Sequence, residues 1–378
     1  MKAGIITLLS DNYGAVLQAY ALAKAVESNG VEPEIIHYND KNRITYGMST
    51  KRKVFHMGRK CITFLLTANG KHNKLERFRR THLPLSPHRY TTHTELAANP
   101  PSYDVYMAGS DQIWNPDLFV FDYSYFLPFA PDGAKKISYA SSFGKASFAG
   151  KYAAKCGKLL REFRRVSVRE TSGVPIVKML CGKEATVCLD PTFLLTKEQW
   201  MPLIENYRGK YKDKRYIVMY VMPGDTAVTD AMEQTAQILS ARTGCPIIRL
   251  GQHEFELLKR SRKECDPACG LEDFLYLFAN AEHVVTNSFH GTAISLIFEK
   301  RVYVPINTNL EGNKTLHERI KSLVGLLDIP DIFLPCDGIS EETVPTVWPY
   351  EDRAYTERLR EEREKSLTYL REALEDCR

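Results

Sequence analysis

Short apolar runs rich in Val, Ile and Tyr alternate along this chain with segments whose apolar residues recur at helical spacing. The runs Ala3–Leu8, Glu34–His37, Val105–Ala108, Lys136–Ala140, Val166–Val168 and Ala185–Leu189 read as strands. A second set follows at Tyr216–Val221, Ile247–Leu250, His283–Thr286 and Val302–Pro305. Between them, Ala15–Ser28, Lys151–Phe163, Ala227–Arg242, Leu271–Ala281 and Thr292–Glu299 have the length and periodicity of helices. Strands alternating with such helices build βαβ units on parallel sheets. The pattern pauses between Leu194 and the polar stretch Asn206–Arg215, then resumes at Tyr216. The fold expected is α/β: two Rossmann-like, doubly wound domains, 1–200 and 201–350, facing a cleft, with a C-terminal helix over 351–378. That helix carries Tyr355, Leu359, Leu367, Leu370 and Leu374 on one apolar stripe, interrupted by Arg363.

A length of 378 residues suits two domains, and 44% hydrophobic with 26% charged residues excludes a wholly disordered chain. No apolar run approaches the ~18–20 residues of a membrane span. The N-terminal apolar stretch runs into Ser10-Asp11-Asn12 with no small-residue cleavage site, so it reads as a buried strand rather than a signal peptide. Nine scattered cysteines, an odd number, are simplest as reduced thiols in the cytoplasm. The net charge of +5 is far from that of a dedicated nucleic-acid binder. Charge is uneven, however. Lys51–Arg89 holds eleven Lys/Arg against the single acid Glu76 and is +10, which leaves −5 for the rest. It reads either as a solvated helical face over Lys74–His82 beside a loop, or as a surface for an anionic membrane leaflet, a lipid diphosphate or an anionic substrate.

Several chemistries lack their residues. No Gly-x-Gly-x-x-Gly follows the first strand, and Gly144–Tyr152 has the wrong spacing for a phosphate loop, with Tyr152 where Ser or Thr should hold magnesium. No Asp-x-Asp occurs, so no metal is expected on paired carboxylates. Cys265-x3-Cys269, with His253 and His283 far off, reads as a turn with two thiols rather than a zinc site.

What remains falls at expected strand ends. In His283–Thr292, His290 and Gly291 occupy the turn between a buried strand and an apolar helix. Backbone N–H groups and the helix dipole collect anions in such a turn. Gly291 would admit a ligand close to the backbone, Ser288 or Thr292 would cap the helix, and His290 would move a proton near neutral pH. Arg169 follows a strand and can grip a carboxylate or phosphate, or else pair with Glu170. Asn12 and Tyr13 lie in the first turn. Asp111, Gln112, Trp114 and Asn115 form a polar set beside an aromatic ring, a common way to hold a sugar. Asp190, before Pro191, is a turn residue or a partner in acid–base work.

Taken in order, Asp11–Ala19, Gly109–Asn115, Ser167-Val168-Arg169-Glu170, Leu189-Asp190-Pro191-Thr192 and Asn287–Thr292 resemble the polysaccharide pyruvyl transferase family. The resemblance runs from residue 1 to about 330. It implies a GT-B-like pair of Rossmann-like domains and transfer of a pyruvyl group from phosphoenolpyruvate to a sugar as a cyclic ketal, with no metal or organic cofactor. It maps the family's strand-end arginine to Arg169, its proton-handling histidine in a Ser-x-x-His motif to His290 behind Ser288, and a lysine after the following strand loosely to Lys314 or Arg319. The residues read by themselves add Gly291 and Thr292 with Ser288 for the donor, Lys314 beside them, Asp111 or Asp190 as partner to His290, and Asn12, Tyr13, Gln112, Trp114 and Asn115 for the acceptor. Family members usually carry Ser-Arg-Leu-His where this chain has Ser288-Phe289-His290, so Phe289 stands in place of a donor-contacting arginine. The acceptor implied is a glycan; the charge of Lys51–Arg89 would suit a lipid-linked precursor met at the inner membrane face, and no nucleic acid is expected. A GT-B glycosyltransferase using a nucleotide sugar, or a non-catalytic carbohydrate-binding member of the fold, would share the architecture.

Overall fold

The computed structural model describes residues 1–39, 70–117, 121–251, 268–308 and 314–378. They form two compact units. The first contains 1–39, Arg77–Leu194 and Arg360–Arg378; the second contains 70–76 and Leu195–Leu359.

The first unit is built on a parallel six-stranded sheet: β1 (Lys2–Ile6), β2 (Glu32–Tyr38), β3 (Leu85–Tyr90), β4 (Val105–Ala108), β5 (Lys136–Ser138) and β6 (Phe163–Arg165). Their spatial order is β3-β2-β1-β4-β5-β6, the doubly wound order. A short parallel pair, β7 (Ser167–Val168) and β8 (Thr186–Val187), continues from β6. Helix α1 (Tyr13–Ser28) follows β1, and twelve of its sixteen residues are buried, which explains an apolar character nearly all round. Helices α2 (Lys71–His82), α3 (His93–Ala98), α4 (Ala153–Leu160) and α5 (Gly173–Cys181) complete the N-terminal segments.

The second unit, after the single-turn α6 (Lys197–Trp200), repeats the plan. Its strands β9 (Ile217–Val221), β10 (Ile247–Gly251), β11 (His283–Thr286), β12 (Arg301–Ile306) and β13 (Phe333–Pro335) lie in the order β10-β9-β11-β12-β13, all parallel. The helices are α7 (Thr226–Thr243), α8 (Leu271–Asn280), α9 (Phe289–Ile297) and α10 (Lys314–Leu327). Helix α11 (Tyr355–Glu375) ends the chain, its residues from Arg360 onward belonging to the first unit. Among the described residues no helix is long and apolar enough to cross a membrane.

The two Rossmann-like units follow from the apolar runs, yet several boundaries moved. Strand β5 stops at Ser138 because Ala140 takes a left-handed φ of 46°. The helix expected to Phe163 ends at Leu160, and Phe163 opens β6 with its ring fully buried. Helix α9 starts three residues early, which puts His290 and Gly291 inside its first turn. Strand β3 lacks a clear apolar period and was not expected; helix α10 was not expected either, although Ile320, Leu323, Val324 and Leu327 recur at helical spacing and are buried. In the basic stretch, residues 51–69 lie outside the described residues, as do Cys265 and His253; the remainder forms α2 and β3. On α2 the buried side chains are Leu75, Phe78 and Arg79, while Lys74, Arg77 and Arg80 are exposed.

One buried group links the second unit to pH. His283 opens β11, is 5% exposed, and has its pKa pushed down from 6.5 to about 4 by burial and then by the Arg301 charge. A histidine kept neutral in the fold contributes its full stability above pH ~6.5 and loses it as the pH falls toward ~4. Urea unfolding at pH 7.5 and 4.5 is expected to show wild type losing roughly 2–3 kcal/mol more than His283→Gln between the two pH values. Parallel losses would disprove this assignment.

Candidate functional site

In doubly wound sheets, ligands bind beyond the carboxyl ends of strands where the strand order reverses. That point lies between β1 and β4 in the first unit and between β9 and β11 in the second. The expected site residues fall at or beside these two edges.

At the first edge the guanidinium of Arg169 is held among three carboxylates. Its Nη1 donates to Asp190 Oδ2 at 2.8 Å and its Nε to Glu170 Oε1 at 3.0 Å, while Asp111 Oδ1 lies 4.0 Å from Nη1. The Arg169 side chain is 2% exposed. Burial alone would favour the neutral guanidine, but Glu170, Asp190 and Asp111 override it and raise its pKa above the ordinary arginine range. Asp190 is saturated: Oδ1 accepts from the backbone N–H and hydroxyl of Thr192, and Oδ2 from Ser110 Oγ as well as Arg169. Ser142 Oγ donates to Glu170 at 2.6 Å. With formal charges the cluster is one cation against three anions.

This arrangement gives two of the expected site residues structural work. Arg169 bonds to the carboxylates of Asp190 and Glu170 and so orders the strand ends, and an anionic donor brought to it would meet surplus negative charge. Asp190, at 1% exposure with its oxygens bonded, is an anchor and not a free base. Asp111 is the most exposed of the three carboxylates and sits at a left-handed φ of 71°, a conformation Asp tolerates better than most residues. Beside it, Gln112 Oε1 accepts from Asn115 Nδ2 at 2.7 Å, and a side chain at Gly144 (φ 64°) would collide with both amides.

The aromatic ring expected to face a sugar does not do so. Trp114 is fully buried, stacks on Phe126 at 5.1 Å and donates Nε1–H to Tyr125 O. Tyr13 is likewise core, at 2% exposure, whereas Asn12 caps α1 by accepting from Gly14 N. A residue without a role in the sequence reading stands next to this turn: Arg79, 4% exposed, donates Nη2–H to Ser10 O and Asp11 Oδ1 at 2.7 and 2.8 Å. Its signal was an arginine on the apolar face of α2, between Leu75 and Leu83.

At the second edge most polar groups serve the scaffold. Thr286 Oγ1 donates to Tyr220 O and accepts from Ser288 N, and the Asn287 amide pairs with both the N–H and C=O of Met222. Ser288 is the N-cap of α9, accepting from Gly291 N, and the Thr292 hydroxyl donates to Ser288 O. Gly291 is required by packing rather than by a ligand: a Cβ there would lie 2.6 Å from Thr286 Oγ1 and 3.0 Å from Tyr220. His290 lies in the first turn of the helix, 6% exposed, with its ring edge-on to Phe289 at 5.2 Å, and is the imidazole of this turn. Phe289 is a core residue. Asp225 caps α7 at the end of β9 and accepts from Asn307 beyond β12. Lys314 opens α10, with its side chain outside the described residues, and Arg319 is buried in that helix. Among the described residues no cluster of His, Cys, Asp or Glu could hold a metal.

The sequence matches the family model described as polysaccharide pyruvyl transferase over residues 12–308. The chain belongs to the polysaccharide pyruvyl transferase family. Solved structures similar to this pyruvyl transferase family member include the UDP-GlcNAc 2-epimerase from Methanocaldococcus jannaschii, at 13% identity over 85% of this chain and 92% of that one, TM-score 0.49. Another is the S. aureus MnaA–UDP co-structure, at 11% identity over 97% and 96% of the two chains, TM-score 0.49. The glycotransferase of kitacinnamycin is 12% identical over 100% and 98%, TM-score 0.48. No curated protein matches the sequence.

Two substitutions test the roles assigned to these residues. Arg169→Met leaves three buried carboxylates without their cation and should cost roughly 3–5 kcal/mol at neutral pH. Part of that loss should return near pH 5, where protonation relieves the repulsion. Gly291→Ala should destabilise by roughly 1–3 kcal/mol through overpacking against Thr286 and Tyr220. Chemical denaturation across pH measures both, and a neutral effect in either contradicts the packing described.

Proposed function

We propose that this family member transfers the pyruvyl group of phosphoenolpyruvate to two hydroxyls of a glycan, forming a cyclic ketal. The observation that carries the reading is His290 in the first turn of the capped helix α9, at the switch-point edge of the second sheet. The donor brings a phosphate and a carboxylate, and the dipole of a helix start favours such charge. Phe289, where relatives carry an arginine, shifts this duty toward the backbone of α9 and the cations of α10, Lys314 and Arg319.

In the chemistry proposed, His290 delivers a proton to the methylene carbon, which becomes the methyl group, as one sugar hydroxyl bonds to the adjacent carbon and loses its proton to a base. The second hydroxyl then displaces phosphate from that carbon, and its proton leaves with the phosphate. Asp111 is the residue we assign to accept a hydroxyl proton, with Asn12, Gln112 and Asn115 as hydrogen-bonding groups for the sugar. No metal or cofactor is required by this sequence of steps. The exposed cations Arg77, Arg80 and Arg89 support an acceptor carried on an anionic lipid, met at the cytoplasmic face of a membrane.

Thermal unfolding with phosphoenolpyruvate, and separately with nucleotide sugars, tests the donor. At a hundredfold its Kd a ligand stabilises by about 2.7 kcal/mol, a shift of several degrees for a chain of this size. Stabilisation by phosphoenolpyruvate that is lost in His290→Ala is expected. A shift with a nucleotide sugar and none with phosphoenolpyruvate would make the protein a glycosyltransferase instead. With an accepted glycan, His290→Ala should lower kcat by roughly 10²–10⁴-fold.

A further inference from the structure

Helix α11 lies beyond the span matched by the family model, which ends at residue 308. Its buried face keeps Tyr355, Leu359, Leu370 and Leu374 of the expected stripe and adds two hydroxyl-bearing residues. Leu367 is only half-buried, and Ser366 and Tyr369 take the interior at 2% and 6% exposure beside Leu370, Ala373 and Leu374. Both hydroxyls reach the backbone that carries the Arg169 cluster. Ser366 Oγ accepts from Leu189 N at 3.0 Å and donates to Glu362 O. Leu189 immediately precedes Asp190, and its carbonyl accepts from the buried Tyr139 hydroxyl. Arg363 Nε donates to Phe193 O on the far side of Asp190. Tyr369 Oη donates to Ser138 O at 3.0 Å. Ser138 Oγ in turn exchanges hydrogen bonds with the backbone of Ser167, at the start of the strand that ends one residue before Arg169. Two separate hydrogen-bond chains thus run from α11, one to the backbone on either side of Asp190 and one to the backbone two residues before Arg169.

We infer that the C-terminal helix is part of the site in the first unit: Ser366 and Tyr369 are positioning residues that lock Asp190 and Arg169, and through them Asp111. The bonds of Ser366, Arg363 and Tyr369 go to the backbone from which these side chains project. A buried guanidinium among three carboxylates keeps its geometry only while those backbones are fixed, since a shift at either partner breaks a charged hydrogen bond in a dry setting. The inference rests on the proposed function only in giving Asp111 a catalytic use; the bracing itself is read without any ligand.

The experiment follows the Arg169 Nε–H resonance in full-length protein by ¹⁵N NMR, assigned by its disappearance in Arg169→Lys, and measures its solvent exchange. Ser366→Ala and Tyr369→Phe are expected to speed that exchange at least tenfold, with Ser366→Thr restoring most of the protection. Leu370→Ala, which weakens the same helix by packing alone, controls for global stability and should speed exchange no more than its unfolding free energy allows. Exchange unchanged in Ser366→Ala and Tyr369→Phe, or accelerated only as far as in an equally destabilised Leu370→Ala, overturns the inference. Neither result depends on phosphoenolpyruvate, so a failure of the proposed donor leaves this test intact.

Discussion

The first unit depends on one buried cation. Arg169 stands where β7 ends, and its carboxylate partners arrive from three other places: beyond β4, from the next residue, and from the turn after β8. A guanidinium in that position would be very costly alone, and three carboxylates without it would be costlier still. Each side therefore obliges the other, and the strand-end loops that carry them have little freedom left. The left-handed backbone at Asp111 and Ala140 is tolerated in this setting because the hydrogen bonds around it leave no better arrangement.

The second unit reaches similar order by other means. Its switch point is tied by neutral hydrogen bonds, with the Asn287 amide pairing like a strand to Met222 and the Thr286 hydroxyl linking Tyr220 to Ser288. These contacts absorb almost every polar group of the turn into the scaffold. The contrast has chemical meaning: one edge is rich in carboxylates and amides, suited to hydroxyls, while the other offers a capped helix start and an imidazole, suited to an anion.

Much of this was legible in the chain. Continuous apolar runs such as Ile217–Val221 mark strands buried on both faces, and the parallel sheets follow from their alternation with helices. His290 could be placed near a strand end because Val284 and Val285 precede it and Ala293, Ile294 and Leu296 follow. The local pattern could not tell a polar residue that meets a ligand from one that meets the protein. Trp114, Tyr13, Gly291 and Thr292 look equally available in sequence, yet core packing or a single hydrogen bond claims each of them. Arg79 and Ser366 went unnoticed for the opposite reason: both are polar residues on helix faces, Arg79 in line with Leu75 and Leu83, whose bonds form only when the helix is docked.

Sequence alone determined the element types, the repeated α/β plan and the motifs that mark the family, because these depend on residues near one another in the chain. Tertiary structure alone decided which charges are spent. Arg169, Asp111 and Asp190 are separated by 58 and 21 positions, and only the doubly wound strand order brings them within 4.0 Å of the same guanidinium. Whether a side chain binds, braces or fills depends on what faces it, and in a parallel sheet that neighbour comes from a distant βα loop.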